Sequence, residues 1–110
     1  MGTQTIVVMR GDETGQELLE QALRVIDPAV IGIPLQFWEF DLSLENRRAT
    51  QNRVVLEAAD AMAQTGYGLK AATITPEAQG DVGSPNAILR ERINGKIILR
   101  TGRRIPGVRP

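Results

Sequence analysis

Apolar residues follow two spacings along the chain, and these spacings predict strands and helices in turn. Residues 6–9 form a short apolar run of the kind found in buried parallel strands. The next apolar residues recur at the helical period and predict a helix lying on the sheet: Leu18, Leu19, Ala22, Leu23 and Ile26. Thr14 and Glu17 have capping-box spacing and predict its start, and Asp27 before Pro28 predicts its end.

The middle of the chain repeats this order. Residues 34–43, PLQFWEFDLS, predict a second strand that lies near a sheet edge, because two acidic residues interrupt its apolar pattern. Residues 44–66 begin polar and then return to helical spacing before a glycine, which predicts a second helix of about four turns. The segment 67–75, YGLKAATIT, predicts a third strand that Pro76 ends.

The last part of the chain predicts a short helix and a final strand. Residues 87–93, AILRERI, have helical character, and Ser84 lies in position to cap this helix. An Asn-Gly pair then turns the chain into the apolar run 96–100, KIILR. Strands alternating with helices predict an α/β fold with a mixed, largely parallel sheet flanked by helices, and we expect residues 1–110 to form a single domain.

The composition excludes several kinds of site. The chain has no cysteine and no histidine, which excludes disulfides, thiolate zinc sites, imidazole metal ligation and Cys-His or Ser-His pairs within it. No apolar run reaches the roughly 20 residues of a membrane span, and the N-terminus lacks the pattern of a signal peptide. We therefore expect a soluble, cytoplasmic protein with no membrane partner.

Charge is distributed unevenly along a chain whose formal net charge is zero. Residues 1–89 carry 12 acidic and 6 basic residues, whereas residues 90–110 carry 1 acidic and 7 basic residues. Such a basic segment is typical of a solvated or phosphate-binding tail, but here apolar residues are interleaved with the basic ones. We expect no nucleic-acid partner, because interleaved aromatic residues and a recognisable binding motif are missing.

The loop 10–15, RGDETG, joins the first predicted strand to the first helix, where backbone N–H groups are able to bind a phosphate. It lacks the glycine-rich nucleotide-binding patterns, and its acidic residues already complement the helix dipole. A plain capping turn is the favoured interpretation, and an anion site is the alternative.

Two threonines lie at the end of the third predicted strand. Thr73 and Thr75 are two residues apart, so both hydroxyls lie on one side of an extended segment. Ligands of open α/β sheets bind at this end of the strands. Threonine is also an ordinary strand residue, and a structural role is the favoured interpretation.

Polar residues that suit a carboxylate ligand surround the last predicted helix. Asn86 and Arg90 are four residues apart and share a helix face, Ser84 lies at the N-cap, and Arg100 ends the next strand. Guanidinium groups bind carboxylates through paired N–H donors, so two of them in one pocket suit a substrate with several carboxylates. The alternative is that both arginines are solvated surface residues.

Three motifs in these regions together resemble the isocitrate/isopropylmalate dehydrogenase family, metal-dependent decarboxylating dehydrogenases of 2-hydroxy acids. The motifs are IVVMRGDETGQEL, LKAATITPE, and SPNAILR followed ten residues later by LR. KAATITP together with the pattern S-x-N-x-x-x-R is closer to isocitrate dehydrogenase than to its isopropylmalate relatives. The resemblance covers essentially the whole chain and implies the family's mixed αβ sheet, which is not a Rossmann domain.

The resemblance implies a role for each matching position. In the family these positions hold isocitrate, with serine and asparagine as hydrogen-bonding groups and arginines on the carboxylates; they match Thr75, Ser84, Asn86, Arg90 and Arg100. The positions that touch the nicotinamide cofactor, NAD or NADP, match Lys70, Thr73, Thr75 and Asn86. The implied partner is a small polycarboxylate substrate.

The resemblance also implies what this chain lacks. Family members are several times longer, and their catalytic lysine and tyrosine and the aspartates that bind Mg²⁺ or Mn²⁺ match no position here. The family's reaction is the oxidative decarboxylation of isocitrate to a 2-oxo acid and CO₂, a step of the tricarboxylic acid cycle. We expect this chain to contribute substrate positioning, with no catalytic or metal-binding residue of its own, and to be inactive or nearly so by itself.

Two stretches depart from the family pattern. After TITPE the chain continues AQG, where eukaryotic-type NADP enzymes carry a basic residue that contacts the cofactor, and RGDETGQE replaces a more glycine-rich loop.

The alternative function is a free-standing, non-catalytic binding or regulatory module that associates with a partner chain. A truncated sheet exposes an unpaired strand edge, so we expect a homo-oligomer or pairing with a missing C-terminal part.

Overall fold

The computed structural model of the chain describes residues 2–109, which form an α/β fold. Its elements follow the order β1 (Gln4–Arg10), α1 (Glu13–Val25), α2 (Pro28–Ile31), β2 (Leu35–Asp41), α3 (Leu44–Thr50), α4 (Arg53–Thr65), β3 (Gly68–Lys70) and α5 (Pro85–Arg92). The predicted alternation of strands and helices is therefore confirmed. None of the helices in the described residues has the length and apolar content to span a membrane.

Strand β1 is the centre of a three-stranded sheet with the order β2-β1-β3, and both of its pairings are parallel. It pairs with β2 along its whole length, from Gln4 opposite Leu35 to Arg10 opposite Asp41. The pairing with β3 covers three residues. The predicted edge position of the second strand is confirmed.

Side chains of β1 alternate between two core clusters, as the pleat of a strand requires. Val7 and Met9 pack on one face of the sheet against α4 and Leu89 of α5. Val8 packs on the other face against Leu19 of α1 and Ala71. Because both faces are covered by helices, the short apolar run at the N-terminus becomes the buried central strand that the sequence predicts.

The third predicted strand is shorter than residues 67–75, because it ends at Lys70. The Ala71 N–H still donates to the Met9 carbonyl of β1 at 3.0 Å, but the residues after Ala71 bond to the loop after β1 instead of to a strand. The Asp12 N–H donates to the Ala72 carbonyl at 3.2 Å, and the Ile74 N–H donates to the Asp12 carboxylate at 2.9 Å. The prediction is wrong beyond Lys70, because the Asp12 loop takes the hydrogen bonds that a continued ladder would need.

The predicted strand 96–100 is wrong, because these residues have no regular structure. Ile97 and Leu99 are 89% and 85% exposed. A strand depends on ladder hydrogen bonds to a neighbour, and no strand within residues 2–109 lies beside this run. The radius of gyration of 15.4 Å exceeds the value of about 13 Å for a compact domain of this size, as expected when such a segment extends from the core.

Two helix boundaries also differ from the prediction. Helix α1 begins at Glu13 after Asp12, one residue before the predicted Thr14 cap. The predicted second helix is divided into α3 and α4, because Gln51 and Asn52 adopt positive φ angles of 51° and 65°. This left-handed turn redirects the chain and leaves α3 beside the loop after β1, where the Leu44 N–H donates to the Asp12 carboxylate at 2.8 Å.

Candidate functional site

Helix α5 begins with the N-cap that the sequence predicts. The Ser84 hydroxyl accepts the N–H of Asn86 at 3.3 Å, and Pro85 occupies the first helical turn, where a missing N–H has little cost. Leu89 is buried in the same cluster as α4 and fixes α5 on the core. The helical period then places Asn86 and Arg90 one turn apart on the same side of the helix.

Asn86 and Arg90 line a cleft of about 380 Å³ between α5 and the end of β3, and Lys70 lines it from β3. The remaining lining residues are apolar or small: Met9, Met62, Gly68, Ala71, Ala72, Leu89 and Ile93. An amide, a guanidinium and an amine around a largely apolar cleft form a cationic site. Such a site is suited to a small ligand that carries a carboxylate.

The Lys70 ammonium is partly buried and is held by two acceptors. Its Nζ atom donates to the Ala71 carbonyl at 2.9 Å and to Thr73 Oγ1 at 3.1 Å. Burial lowers the pKa of Lys70, the positive charge of Arg47 lowers it further, and the Asp12 carboxylate acts in the opposite direction. The cleft therefore contains an incompletely compensated cation, which an anionic ligand would stabilise.

Thr75 and Arg100 lie apart from this cleft. Thr75 is exposed in the irregular segment after β3, and Arg100 is exposed in the irregular segment after α5. Of the described residues, neither of these two lines the cleft. The expected convergence of Arg90 and Arg100 on one pocket is not found, because the strand that would carry Arg100 does not form. The ligand roles of both residues stay predictions.

Sequence reasoning missed Arg47, the charged side chain of α3 that is completely buried. Its guanidinium donates to three carbonyls: Leu42 at 2.8 Å, Ile74 at 2.5 Å and Gly83 at 3.0 Å. It also forms an ion pair with the Asp12 carboxylate at 3.5 Å. A planar fork of N–H donors makes this arrangement possible, because a lysine ammonium lacks the reach and the directions of the guanidinium.

The Asp12 carboxylate completes a network that joins four segments of the chain. It accepts the N–H of Leu44 at 2.8 Å and the N–H of Ile74 at 2.9 Å, in addition to the contact with Arg47. The loop after β1 therefore forms an internal tie, and its carboxylate serves the start of α3 and the segment after β3. Both charges are hydrogen-bonded, which is the condition for burying an ion pair.

A sequence signal for the burial of Arg47 exists in its spacing. Arg47 precedes the core residue Val54 by seven positions, so the two share a face in the single helix that the sequence predicts for residues 44–66, although the structure divides that helix after Arg47. The polar start of residues 44–66 by itself predicts no role for Arg47. An acidic residue directly after a buried strand, combined with an arginine at a core-facing position, indicates a buried pair.

The described residues do not fit a metal site. Within residues 2–109 no group of three or more acidic side chains is arranged to hold a metal ion, whereas Mg²⁺ and Mn²⁺ need several oxygen ligands. The acidic side chains of residues 2–109 therefore do not form a Mg²⁺ or Mn²⁺ site by themselves.

Comparison with known proteins adds to this geometry. The sequence model of the isocitrate/isopropylmalate dehydrogenase family matches residues 5–106. The mitochondrial NADP isocitrate dehydrogenase of Saccharomyces cerevisiae is 32% identical over 74 residues, which are 67% of this chain and 17% of that protein. The cytosolic NADP isocitrate dehydrogenase of Arabidopsis thaliana is 31% identical over 101 residues, which are 84% of this chain and 24% of that protein.

These matches cover most of this chain but only a small part of each relative. The chain spans about a quarter or less of the length of the two relatives named above, so their names describe much longer proteins. The family match, in contrast, covers nearly the whole of this chain and includes the cleft and the buried pair. The chain therefore belongs to the isocitrate/isopropylmalate dehydrogenase family.

Proposed function

We propose that the cleft between β3 and α5 binds one carboxylate end of isocitrate, as part of an NAD(P)-linked, metal-dependent oxidative decarboxylase. The observation that carries this proposal is the placement of Asn86 and Arg90 on one face of α5, with Lys70 across a cleft of about 380 Å³. In this arrangement Arg90 forms a forked pair with a carboxylate, and Asn86 donates a hydrogen bond to a substrate oxygen.

We propose that two further residues, Ser84 and Thr75, also contact the substrate, although neither lines the cleft. The Ser84 oxygen accepts the Asn86 N–H, which leaves the hydroxyl proton available for a substrate carboxylate. Thr75 follows Ile74, whose N–H and carbonyl are both bound by the Asp12–Arg47 pair. In this proposal Arg100 joins the site when the segment after α5 is ordered against further protein surface.

The cofactor proposal rests on the relatives, which are named as NADP enzymes. We propose NADP or NAD as the hydride acceptor, with Lys70, Thr73 and Asn86 beside its nicotinamide end. A nicotinamide cofactor bound there supplies the oxidising group for the hydroxyl carbon of isocitrate. The residues of this chain hold and orient the substrate, and we expect the 110-residue chain to bind isocitrate without turning it over.

Calorimetric titration of the chain with isocitrate and Mg²⁺ tests the proposed binding. Arg90→Ala removes the forked donor and should weaken isocitrate binding by tenfold or more, because a hydrogen-bonded charge pair contributes about 1.5–3 kcal/mol. Arg92→Ala is the matched control, since Arg92 is on the same helix and pairs with Asp60 at its other side at 3.6 Å. Isopropylmalate serves as the competing ligand.

The outcomes separate the possibilities. Saturable heat that is lost in Arg90→Ala and retained in Arg92→Ala supports the proposed site. Equal loss in both variants would indicate general attraction of an anion to a basic surface and would reject the site. A folded wild-type chain that produces no heat with either ligand would also reject it.

A second candidate is a non-catalytic module that associates with a partner chain or with a copy of itself. The observation that favours it is the apolar run Ile97, Ile98 and Leu99, which is between 61% and 89% exposed. Exposed runs of this kind mark surfaces that another protein covers. Sedimentation velocity at rising concentration tests self-association, and the variant Ile98→Asp should remain monomeric. A wild-type chain that stays monomeric up to about millimolar concentration, the range of weak association, would reject self-association.

A further inference from the structure

The loop before α5 is bound from outside by the neighbouring helix α3. Arg48 forms a forked pair with Asp81, with Nε to Oδ1 at 3.1 Å and Nη2 to Oδ2 at 2.7 Å. The Asp81 carboxylate also accepts the N–H of Val82 at 2.7 Å. The hydrogen bond from Arg48 lowers the pKa of Asp81, and the Val82 N–H lowers it further, so this carboxylate stays charged and bound at neutral pH.

The same region of the chain also binds the next two loop residues. Asn52, in the turn after α3, donates from Nδ2 to the Val82 carbonyl at 2.9 Å. Arg47 donates to the Gly83 carbonyl at 3.0 Å. Residues 81, 82 and 83 are thus held one after another, and the next residue is the Ser84 cap. We call these contacts of Arg47, Arg48 and Asn52 with residues 81–83 the loop clamp.

The loop has a backbone that benefits from such contacts. Gly80 and Gly83 have φ angles of 84° and 67°, a region that glycine enters freely and other residues rarely adopt. The segment 77–83 lacks regular structure and has exposed residues up to Gly80. A loop with two such glycines loses much conformational freedom when a ligand orders it, so fixing it beforehand increases affinity.

We propose that Arg48 and Asn52 are positioning residues for the substrate cleft: through the loop clamp they fix Ser84 and Asn86 in place and raise substrate affinity without touching the substrate. This inference rests on the proposed binding of isocitrate in the cleft. Arg48 and Asn52 themselves line a separate surface depression with Gln51, Gly80, Asp81 and Val82. Their effect on the ligand is therefore transmitted by the loop.

Two single variants test the loop clamp without threatening the fold. Arg48→Ala removes a side chain that is 52% exposed. Asn52→Gly removes the bond to Val82 and keeps a residue that tolerates the positive φ of 65°. Arg53→Ala is the control, because it removes an exposed arginine from the adjacent helix. Each chain is titrated with isocitrate and Mg²⁺, and its amide hydrogen exchange is measured by NMR.

We expect Arg48→Ala and Asn52→Gly each to weaken isocitrate binding by about threefold to tenfold, in the range of a lost hydrogen bond or ion pair. The Val82 and Asn86 amides should exchange at least about tenfold faster, while β1 amides exchange at the wild-type rate, because the opening is local. Arg53→Ala should match the wild type in both measurements. Unchanged affinity in both variants would overturn the proposal.

Exchanging the charges of Arg48 and Asp81 provides a test that a general loss of stability would not reproduce. Arg48→Glu should weaken binding, and the double variant Arg48→Glu/Asp81→Arg should recover at least half of the lost affinity on a logarithmic scale. A double variant no better than the single would count against positioning by this pair. If the wild-type chain binds no isocitrate, the proposed function fails, and the amide hydrogen exchange of Val82 and Asn86 then tests the loop clamp by itself. Unchanged exchange rates of these amides in Arg48→Ala would overturn the loop clamp.

Discussion

Arginine and aliphatic side chains lie close together in two regions of the molecule, the sheet edge around Arg47 and the segment 94–109. At the sheet edge Arg47 has no exposed surface, and its donors bind three carbonyls and a carboxylate. In the segment 94–109 every residue is exposed, including Leu99 at 85%. Similar residue types therefore have opposite environments.

The difference shows that partners, more than residue type, decide what these side chains do. Arg47 is buried because Asp12 and the carbonyls of three segments surround it, so the cost of removing its charge from water is offset. The run 97–99 has the apolar character of a strand but no neighbouring strand in residues 2–109. The two arginines of the proposed site differ in the same way, since Arg90 lines a formed cleft and Arg100 does not.

The largest expected effect comes from removing the buried guanidinium. Arg47→Ala leaves the Asp12 carboxylate and three carbonyls without their donor, and we expect a loss of about 3–5 kcal/mol in the free energy of unfolding. Arg100→Ala is the matched variant in the exposed segment and should change that free energy by less than about 0.5 kcal/mol. Urea unfolding followed by circular dichroism measures both. Equal effects would break the distinction between the two regions.

A pair of leucines makes the same comparison for apolar residues. Leu89 is 5% exposed and packs on α4, whereas Leu99 is 85% exposed. We expect Leu89→Ala to cost about 2–5 kcal/mol, the range for creating a cavity in a core. Leu99→Ala should be within about 0.5 kcal/mol of the wild type. A large effect of Leu99→Ala in thermal or urea unfolding would mean that the segment is packed in solution.

Two glycines extend the comparison to the backbone. A Cβ atom at Gly15 would lie 2.4 Å from the Ala72 carbonyl oxygen and 2.8 Å from Ala72 Cβ, so Gly15→Ala must push α1 away from the segment after β3. We expect a cost of about 1–3 kcal/mol. A Cβ at Gly102 meets no described atom within 4 Å, and Gly102→Ala should have little effect. Thermal unfolding that ranks them the other way would contradict the close packing at Gly15.

The smallest expected effect is a pH dependence that involves Lys70. Its folded-state pKa is lowered mainly by burial, so the unfolded chain binds this proton more tightly than the folded protein. The free energy of unfolding should therefore rise with pH through the lowered folded-state pKa and level off near the ordinary value of 10.5. Lys70→Met should lack this rise.

The measurement is urea unfolding of the wild type and Lys70→Met over a series of pH values that rises from neutral to the ordinary pKa of 10.5. Lys96→Met controls for the removal of a lysine charge from an exposed position. The stability of the wild type relative to Lys70→Met should increase across this range. A decrease would mean that the cleft stabilises the charged form of Lys70 and would contradict the role of burial.

Local patterns predicted the elements whose partners lie nearby in the fold. The run 6–9 became β1, the Ser84 cap began α5 as expected, and the acidic residues of β2 indicated its edge position correctly. The ends of β3 and the run 96–100 were predicted wrongly, because a strand continues only where a neighbour accepts its hydrogen bonds. Whether a neighbouring strand is present depends on the tertiary structure, and the apolar pattern of one segment does not predict it.

The candidate site was predictable to a similar degree. Helical spacing placed Asn86 and Arg90 on one face, and the resemblance pointed to Lys70; all three line the cleft. Arg47 was missed because a charged residue is normally exposed, and only the combination with Asp12, 35 positions earlier, makes its burial favourable. The loop clamp was likewise invisible, since its three donors bind residues about 30 positions away.

The central claim is that α5 and the end of β3 form a carboxylate-binding site, and an NMR titration of the amide-labelled chain with isocitrate and Mg²⁺ tests it most directly. We predict saturable shifts at the amides of Thr75, Ser84, Asn86 and Arg90, with smaller changes over the rest of the chain. Shifts confined to the basic segment 96–109, or shifts that never saturate, would contradict the claim and would indicate only general attraction of the anion to exposed arginines.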